Sequence, residues 1–467
     1  MNKKLHRGYF VILVLVFSAV FFTLLSALTG YIFVQKRAQL AKESQAKALH
    51  IAEAGLEYYK WFLAHNPGDI TDGTGGPGPY VHTVPDPEGG VLGTFSLAIN
   101  AEIFCSSVSS ITIVSTGWTV TDPTYKRTVE ATYVRPSVAE FSHIVDANVW
   151  AGSDRIINGP YHSNQGVRMD ATHNATVSSG VASWLCTSSF GCNPNTVQNG
   201  VFGSGGPQEL WKYPTPPVDF NGISVNLAQL KNFATSSGVY LPPSGKFGYQ
   251  VTFKNNGTID VRRVVGAIQV WGYSTQNGWK KERTVMSNVS SVTTYTVPAN
   301  CPIVFVEDDV WLDGVVSGKA LIAAADVSAQ SIDRSVILNG SLTYANATGD
   351  GITVIGEENV LVGLQVPDIM NIFGIFIAQK GRFGRNHYDT DFLQSSLDQY
   401  VKRSTLNTTG TVVSKDRVGT KWTSGGTFVS GFNQRNDSFD QNLSVAPPPF
   451  TPWTSADYTL TSWKEVQ

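Results

Sequence analysis

Residues 9–34 read YFVILVLVFSAVFFTLLSALTGYIFV, and residues 35–66 continue QKRAQLAKESQAKALHIAEAGLEYYKWFLAHN. The first run has no charged residue in 26 positions. At about 1.5 Å per residue it is long enough to cross a hydrocarbon core of roughly 30 Å. A cleaved secretory signal, the competing reading, has an apolar stretch of only about 7–15 residues, and no clean A-x-A site follows here. The second run contains no Pro and is rich in Ala, Leu, Gln, Lys and Glu, all good helix formers. Leu49, Ala52, Leu56, Tyr59 and Leu63 recur in steps of three and four, which places them on one packing stripe. Asn66-Pro67-Gly68 ends the run. The spacing predicts one helix over 9–66, transmembrane over 9–34 and amphipathic beyond.

Outward from that helix, residues 1–8 form a basic leader with Lys3, Lys4 and Arg7. Basic residues before a span favour a cytoplasmic N-terminus, although Lys36 and Arg37 on the far side reduce the asymmetry. This predicts a single-pass membrane protein with its C-terminal region outside, the lipid bilayer being its first partner. In the whole chain of 467 residues, 34 Lys and Arg face 36 Asp and Glu, and charged residues are 15%. That balance lacks the basic surface that counterion displacement on nucleic acid requires, so no nucleic-acid partner is expected. Hydrophobic residues at 42% are enough to build cores.

The short basic leader ending in Gly8, followed by an apolar helix that runs into an amphipathic one, resembles a type IV prepilin. The resemblance implies cleavage by a prepilin peptidase between Gly8 and Tyr9. Ala52-Glu53-Ala54-Gly55-Leu56 resembles the signature of PilX-type minor pilins. Most pilins carry a Glu five residues after the cut, where this chain has Leu13. That departure resembles tip-located minor pilins, and it equally suits an anchor helix that is never cleaved.

After a Gly/Pro-rich loop at 67–90, the alternation of Val129, Ala131 and Tyr133 with polar residues predicts a half-buried strand. A small β module over 67–140, packed on the helix, is the economical arrangement. Residues 141–300 read as a Gly/Asn-rich β region. From 301 to 450, short consecutive apolar runs such as PIVFVED (302–308) and GITVIG (351–356) suit strands buried in a parallel sheet. The expected fold class is therefore a pilin-like helix followed by a mainly β exported region. Its C-terminal half is expected to be β-solenoid-like, with a β-sandwich as the alternative. Residues 451–467 read as a tail, and patches such as Gly419-Thr420-Lys421-Trp422 and Pro447-Pro448-Pro449-Phe450 resemble large PilX-like surface proteins.

Catalytic chemistry is sparse. His162 has no second His or Cys at ligand spacing, so a turn role is expected for it. Glu307, Asp308, Asp309 and Asp313, and likewise Glu357-Glu358, read as acidic turns, since the D-x-D-x-D-G calcium pattern is missing. No cofactor, metal or catalytic residue is expected. Four Cys in an exported chain suggest two disulfides, against free buried thiols as the alternative. Cys186 and Cys192 would close a short loop and leave Cys105 with Cys301, although three pairings are possible. The functional expectation is a membrane-anchored minor pilin-like subunit of a type IV pilus or its assembly complex, with other pilins or assembly proteins as partners. The alternatives are an anchored adhesin outside any filament and, behind it, a solenoid enzyme acting on polysaccharide.

Overall fold

The computed structural model describes residues 7–223, 225–327 and 332–466; Lys3 and Lys4 of the basic leader lie outside them. The chain forms a long N-terminal helix followed by a mainly β region. It divides into two compact units, one of residues 7–101, 111–133 and 460–466, the other of 102–110 and 134–459.

In the first unit, helix α1 (Arg7–His65) is followed by strands β1 (Tyr80–Pro85), β2 (Val91–Phe104), β3 (Ser107–Thr119) and β4 (Arg127–Val134). A five-stranded sheet runs β1-β2-β3-β4 and ends on the C-terminal strand Thr459–Val466. The tail read at 451–467 therefore supplies an edge strand. Thr461 Oγ1 donates to the Thr132 carbonyl at 3.1 Å, and Lys464 pairs with Glu130 at 2.8 Å. Alternation buries Phe95 and Leu97, Ile111 and Ile113, and Val129, Ala131 and Tyr133 on one face. The outer half of α1 buries Ala48, Ile51, Ala52, Leu56, Tyr59 and Leu63. Burial of such side chains contributes about 1.5–3 kcal/mol each for the larger ones. Helix and sheet meet backbone to backbone: a Cβ on Gly117 would lie 2.4 Å from Ala52 N and 2.5 Å from the Ala48 carbonyl oxygen.

The second unit is inserted in the chain between β4 and the C-terminal strand. Its strands wind as coils that build three parallel stacks. The first stack runs, in space, Val239–Leu241, Ile303–Val306, Lys319–Ala324, Gly351–Gly356, Ile369–Ala378 and Lys402–Ser414. It then continues with His143–Val145, Tyr161–Ser163, Val177–Ser179 and Trp211–Lys212. The coil that follows the last C-terminal strands in space is thus the first one in sequence. Residues 143–212, read above within a separate Gly/Asn-rich region, share one stack with 303–414. Strands of three residues between Gly and Asn turns carry too little periodicity to be told from loop. The second stack runs Tyr249–Phe253, Val310–Val316, Val336–Tyr344, Val360–Val362 and Phe383–Gly384, and the third passes through Leu342, Ile372, Thr408, Asp437, Ile157 and His173.

This interleaved order has a geometric reason. Ten strands at about 4.8 Å make a stack about 43 Å long, and a one-way coil would leave its ends that far apart. An inserted unit must return its chain to the entry point. By entering mid-stack and leaving from the adjacent coil, the chain brings Thr459 Oγ1 to 3.4 Å from the Val134 carbonyl. The connection 213–238 links the two stack ends through helix α2 (Leu227–Ser237), capped by Asn226 and burying Leu230 and Ala234. Asn164 fastens it, donating to the Val218 carbonyl and accepting from the Val218 N–H, both at 2.8 Å.

Two long strands, Ile369–Ala378 and Lys402–Ser414, turn a corner between stacks at paired glycines. Gly374 and Gly410 have φ of 144° and 124°, and a Cβ on Gly410 would lie 2.0 Å from the Gly374 carbonyl oxygen. Only glycine meets both demands.

Candidate functional site

The N-terminal half of α1 is the most unusual surface of the chain. Every residue from Tyr9 to Val34 is exposed except the half-buried Ser18, and none is charged. Among the described residues this is the one helix long and apolar enough to cross a membrane. Gly8 and Tyr9 stand in its first turn, Tyr9 77% exposed, and Leu13 is exposed as well. Of the stripe, Ala52, Leu56, Tyr59 and Leu63 are buried while Leu49 is half-buried. Ala48 and Ile51 share the buried face, so the stripe is broader than the five residues singled out. Gly55 belongs to it because a Cβ there would lie 2.4 Å from Ser115 Oγ. Tyr133 on β4 donates its hydroxyl to the Leu56 carbonyl at 3.4 Å, and burial pushes that phenol up to about 12.

Cys105, at the β2–β3 turn, is bonded to Cys301, and Cys186 to Cys192. The second bond closes the end of the hairpin formed by Ser183–Cys186 and Thr196–Asn199.

The acidic residues do not converge. Glu307 takes Lys231 Nζ at 2.6 Å and the Tyr240 hydroxyl, and Asp308 takes Ser244 N–H and Oγ and Arg334 at 3.0 Å. Both are buried at the corner between two stacks, so they are hydrogen-bonded corner posts rather than solvated turns. Asp309 accepts the Ser335 N–H at 2.8 Å, and burial pushes its carboxyl up to about 6. Glu357 holds Lys380 at 2.9 Å. His162 is occupied on both ring nitrogens, by Ser178 Oγ and Asn164 Oδ1, each at 2.9 Å. Among the described residues no group of three or more His, Cys, Asp or Glu could hold a metal ion.

Sequence reading missed two clusters. One is ionic and lies where the last coil meets the first. Arg155 donates to Asp437 from Nε at 2.9 Å and from Nη2 at 2.6 Å, and Nη2 also reaches His143 Nε2 at 3.0 Å. Burial pushes His143 down to about 3, with Asp437 opposing and Arg155 reinforcing the shift. Burial works against the Asp437 carboxylate, but Arg155 and His143 outweigh it and hold the pKa below the ordinary value. Asp437 is 282 positions from Arg155, so no local pattern could announce the cluster. The other is Lys280-Lys281-Glu282-Arg283, four consecutive charges in a chain that is only 15% charged, which was a legible signal.

No family model and no curated protein matches the chain. Among solved structures it is similar to the competence-associated pilin ComZ from Thermus thermophilus, at 13% identity and a TM-score of 0.28. That alignment covers 91% of this chain and 97% of that one.

Proposed function

We propose that this chain is a membrane-anchored, pilin-like minor subunit of a type IV filament or its assembly complex, displaying the inserted coil unit outside the membrane. The observation that carries the reading is one 59-residue helix divided into an exposed uncharged half and a half buried on a five-stranded sheet. A lone apolar face of that length needs lipid or neighbouring helices to cover it. In this reading the leader is removed after Gly8, the chain has no catalytic role, and its partners are lipid and other pilins. Leu13 leaves no carboxylate to meet the amine of a neighbouring subunit, which suits a tip or priming position. A buried carboxylate without a partner is costly, so a subunit with no neighbour above does better with Leu.

The test is stoichiometry. Mass spectrometry of sheared filaments should find few copies of this chain, confined to the tip by immunogold labelling. Even labelling along the shaft at copy numbers near a major subunit contradicts the proposal. For the anchor, Phe17→Arg should cost about 2.5–3.5 kcal/mol of insertion and release the protein on carbonate extraction. Wild-type protein already released by carbonate would remove the anchor.

A further inference from the structure

The hairpin of strands Thr258–Ser274 and Gly278–Val289 arises between two coils and lies over the outside of the second stack. A backbone bridge between Tyr273 and His387 holds it there, together with three side-chain hydrogen bonds. Trp311 Nε1 donates to the Thr284 carbonyl at 2.7 Å, Tyr388 donates to Glu282 Oε1 at 2.6 Å, and Asn386 Nδ2 donates to Glu282 Oε2. Between hairpin and stack is a cleft of about 440 Å³, within the size range of small-ligand sites. Its floor repeats from coil to coil, because Trp311, Ile337 and Leu361 are in register on three successive strands. The rung spacing is about 4.8 Å, so a linear polymer lying along the stack meets similar surroundings at each step.

The charges of the cleft are of two kinds. Lys246, Lys280, Lys281 and Arg283 all line it and are all exposed, and among the described residues none of the four has an ion pair. Lys281 lies 5.3 Å from the centre of the Trp271 ring, and Arg283 5.3 Å from that of Phe247. Interleaved with them are carboxylates: Asp309 and Glu358 line the same cleft. Free cations call for an anionic ligand, and carboxylates beside them accept hydroxyl protons while repelling a continuous polyphosphate. Trp311 is only 2% exposed and Phe247 is partly covered by Arg283, so the floor lacks the open aromatic faces on which bases stack.

We propose that this cleft binds a linear acidic polysaccharide, its uronate carboxylates on Lys246, Lys280, Lys281 and Arg283 and its hydroxyls on Asp309 and Glu358. The site does not depend on the anchor or on filament entry, so its failure and theirs are separable.

The test uses the full chain in detergent micelles, titrated with polygalacturonate, with its fully methyl-esterified form and with a single-stranded thymidine oligonucleotide. Polygalacturonate should bind, weaken as salt rises, and lose tenfold or more in affinity in the K280Q/K281Q/R283Q variant. Lys254→Gln, a control outside the cleft, should bind as wild type does, and thermal unfolding should show both variants folded. No binding of polygalacturonate, equal binding of the esterified polymer, or unchanged binding by the triple variant would overturn the proposal. Tighter binding of the oligonucleotide than of polygalacturonate would overturn it too, in favour of a nucleic-acid surface.

Discussion

The coils at 303–378 and the seam where 402–438 meets 143–158 share one backbone geometry but are filled by opposite chemistry. Along the inward row of the first stack, Val304, Ile322, Val354, Phe376 and Val412 succeed one another in register, all fully buried. The next position in that row is His143, then Tyr161. On the third stack Leu342, Ile372 and Thr408 are followed by Asp437. Apolar rows tolerate a shift of one coil, since Val against Ile is much like Ile against Val. The seam joins chain segments far apart in sequence and has no covalent guide to register. There the pairs Arg155–Asp437 and Arg435–Asp154 at 2.7 Å accept one alignment only. Buried ion pairs contribute little net stability but can specify a register. That contrast assigns stability to the apolar coils and alignment to the seam.

Truncating either region should be costly, for different reasons. Phe376→Ala in the apolar row should destabilise by about 3–5 kcal/mol through lost burial and a cavity, with the deficit constant between pH 7 and 5. Asp437→Ala should cost a similar amount, about 3–5 kcal/mol, because it leaves Arg155 charged and buried without its partner. Replacing His143, Arg155 and Asp437 together by apolar residues should recover most of that loss while broadening the population of registers. Chemical denaturation, with hydrogen exchange to detect misaligned coils, checks all three. An apolar triple variant that keeps one register would show that the ionic seam does not specify it.

Acid should separate the regions next. His143 has a folded pKa of about 3 against an ordinary value near 6.5, so below pH 6.5 the unfolded chain binds a proton that the folded chain refuses. Its contribution is intact above pH 6.5 and is lost as pH falls, by about 1.4 kcal/mol per unit until the folded pKa is reached. Asp437, also depressed, adds to the loss further down, below about pH 4. His143→Phe should flatten the stability profile between pH 6.5 and 4. An unchanged acid limb would place the pH sensitivity elsewhere.

A smaller effect is expected from the side-chain ladder of the third stack. Asn407 Nδ2 donates to Asn371 Oδ1 at 2.9 Å and accepts from Asn436 Nδ2 at 2.8 Å. Asn407→Ala leaves two amides short of partners and should cost about 1–3 kcal/mol. The loss should be independent of pH, unlike that of the seam.

The same contrast explains what was legible in the sequence. Residues 9–34 announce themselves because an uncharged run of that length has few physical uses, and Val129, Ala131 and Tyr133 alternate as a half-buried strand must. The runs at 302–308 and 351–356 show their parallel burial because both neighbours in the stack are apolar. His143 and Asp437 could not be read, since each is an ordinary polar residue until the other is brought beside it. The interleaved order was hidden for the same reason: it is set by where the insertion must return, near Val134, and no local period encodes that. The strand carrying Lys280, Lys281 and Arg283 is legible as well, because four consecutive charges stand out in a chain that is only 15% charged.

The proposed removal of the leader after Gly8 is tested at the N-terminus of the mature protein. Edman or mass-spectrometric sequencing of protein isolated from its native envelope should return Tyr9 as the first residue, with residues 1–8 gone. Recovery of protein that retains residues 1–8 ahead of Tyr9 would rule out processing and leave a plain membrane anchor in its place.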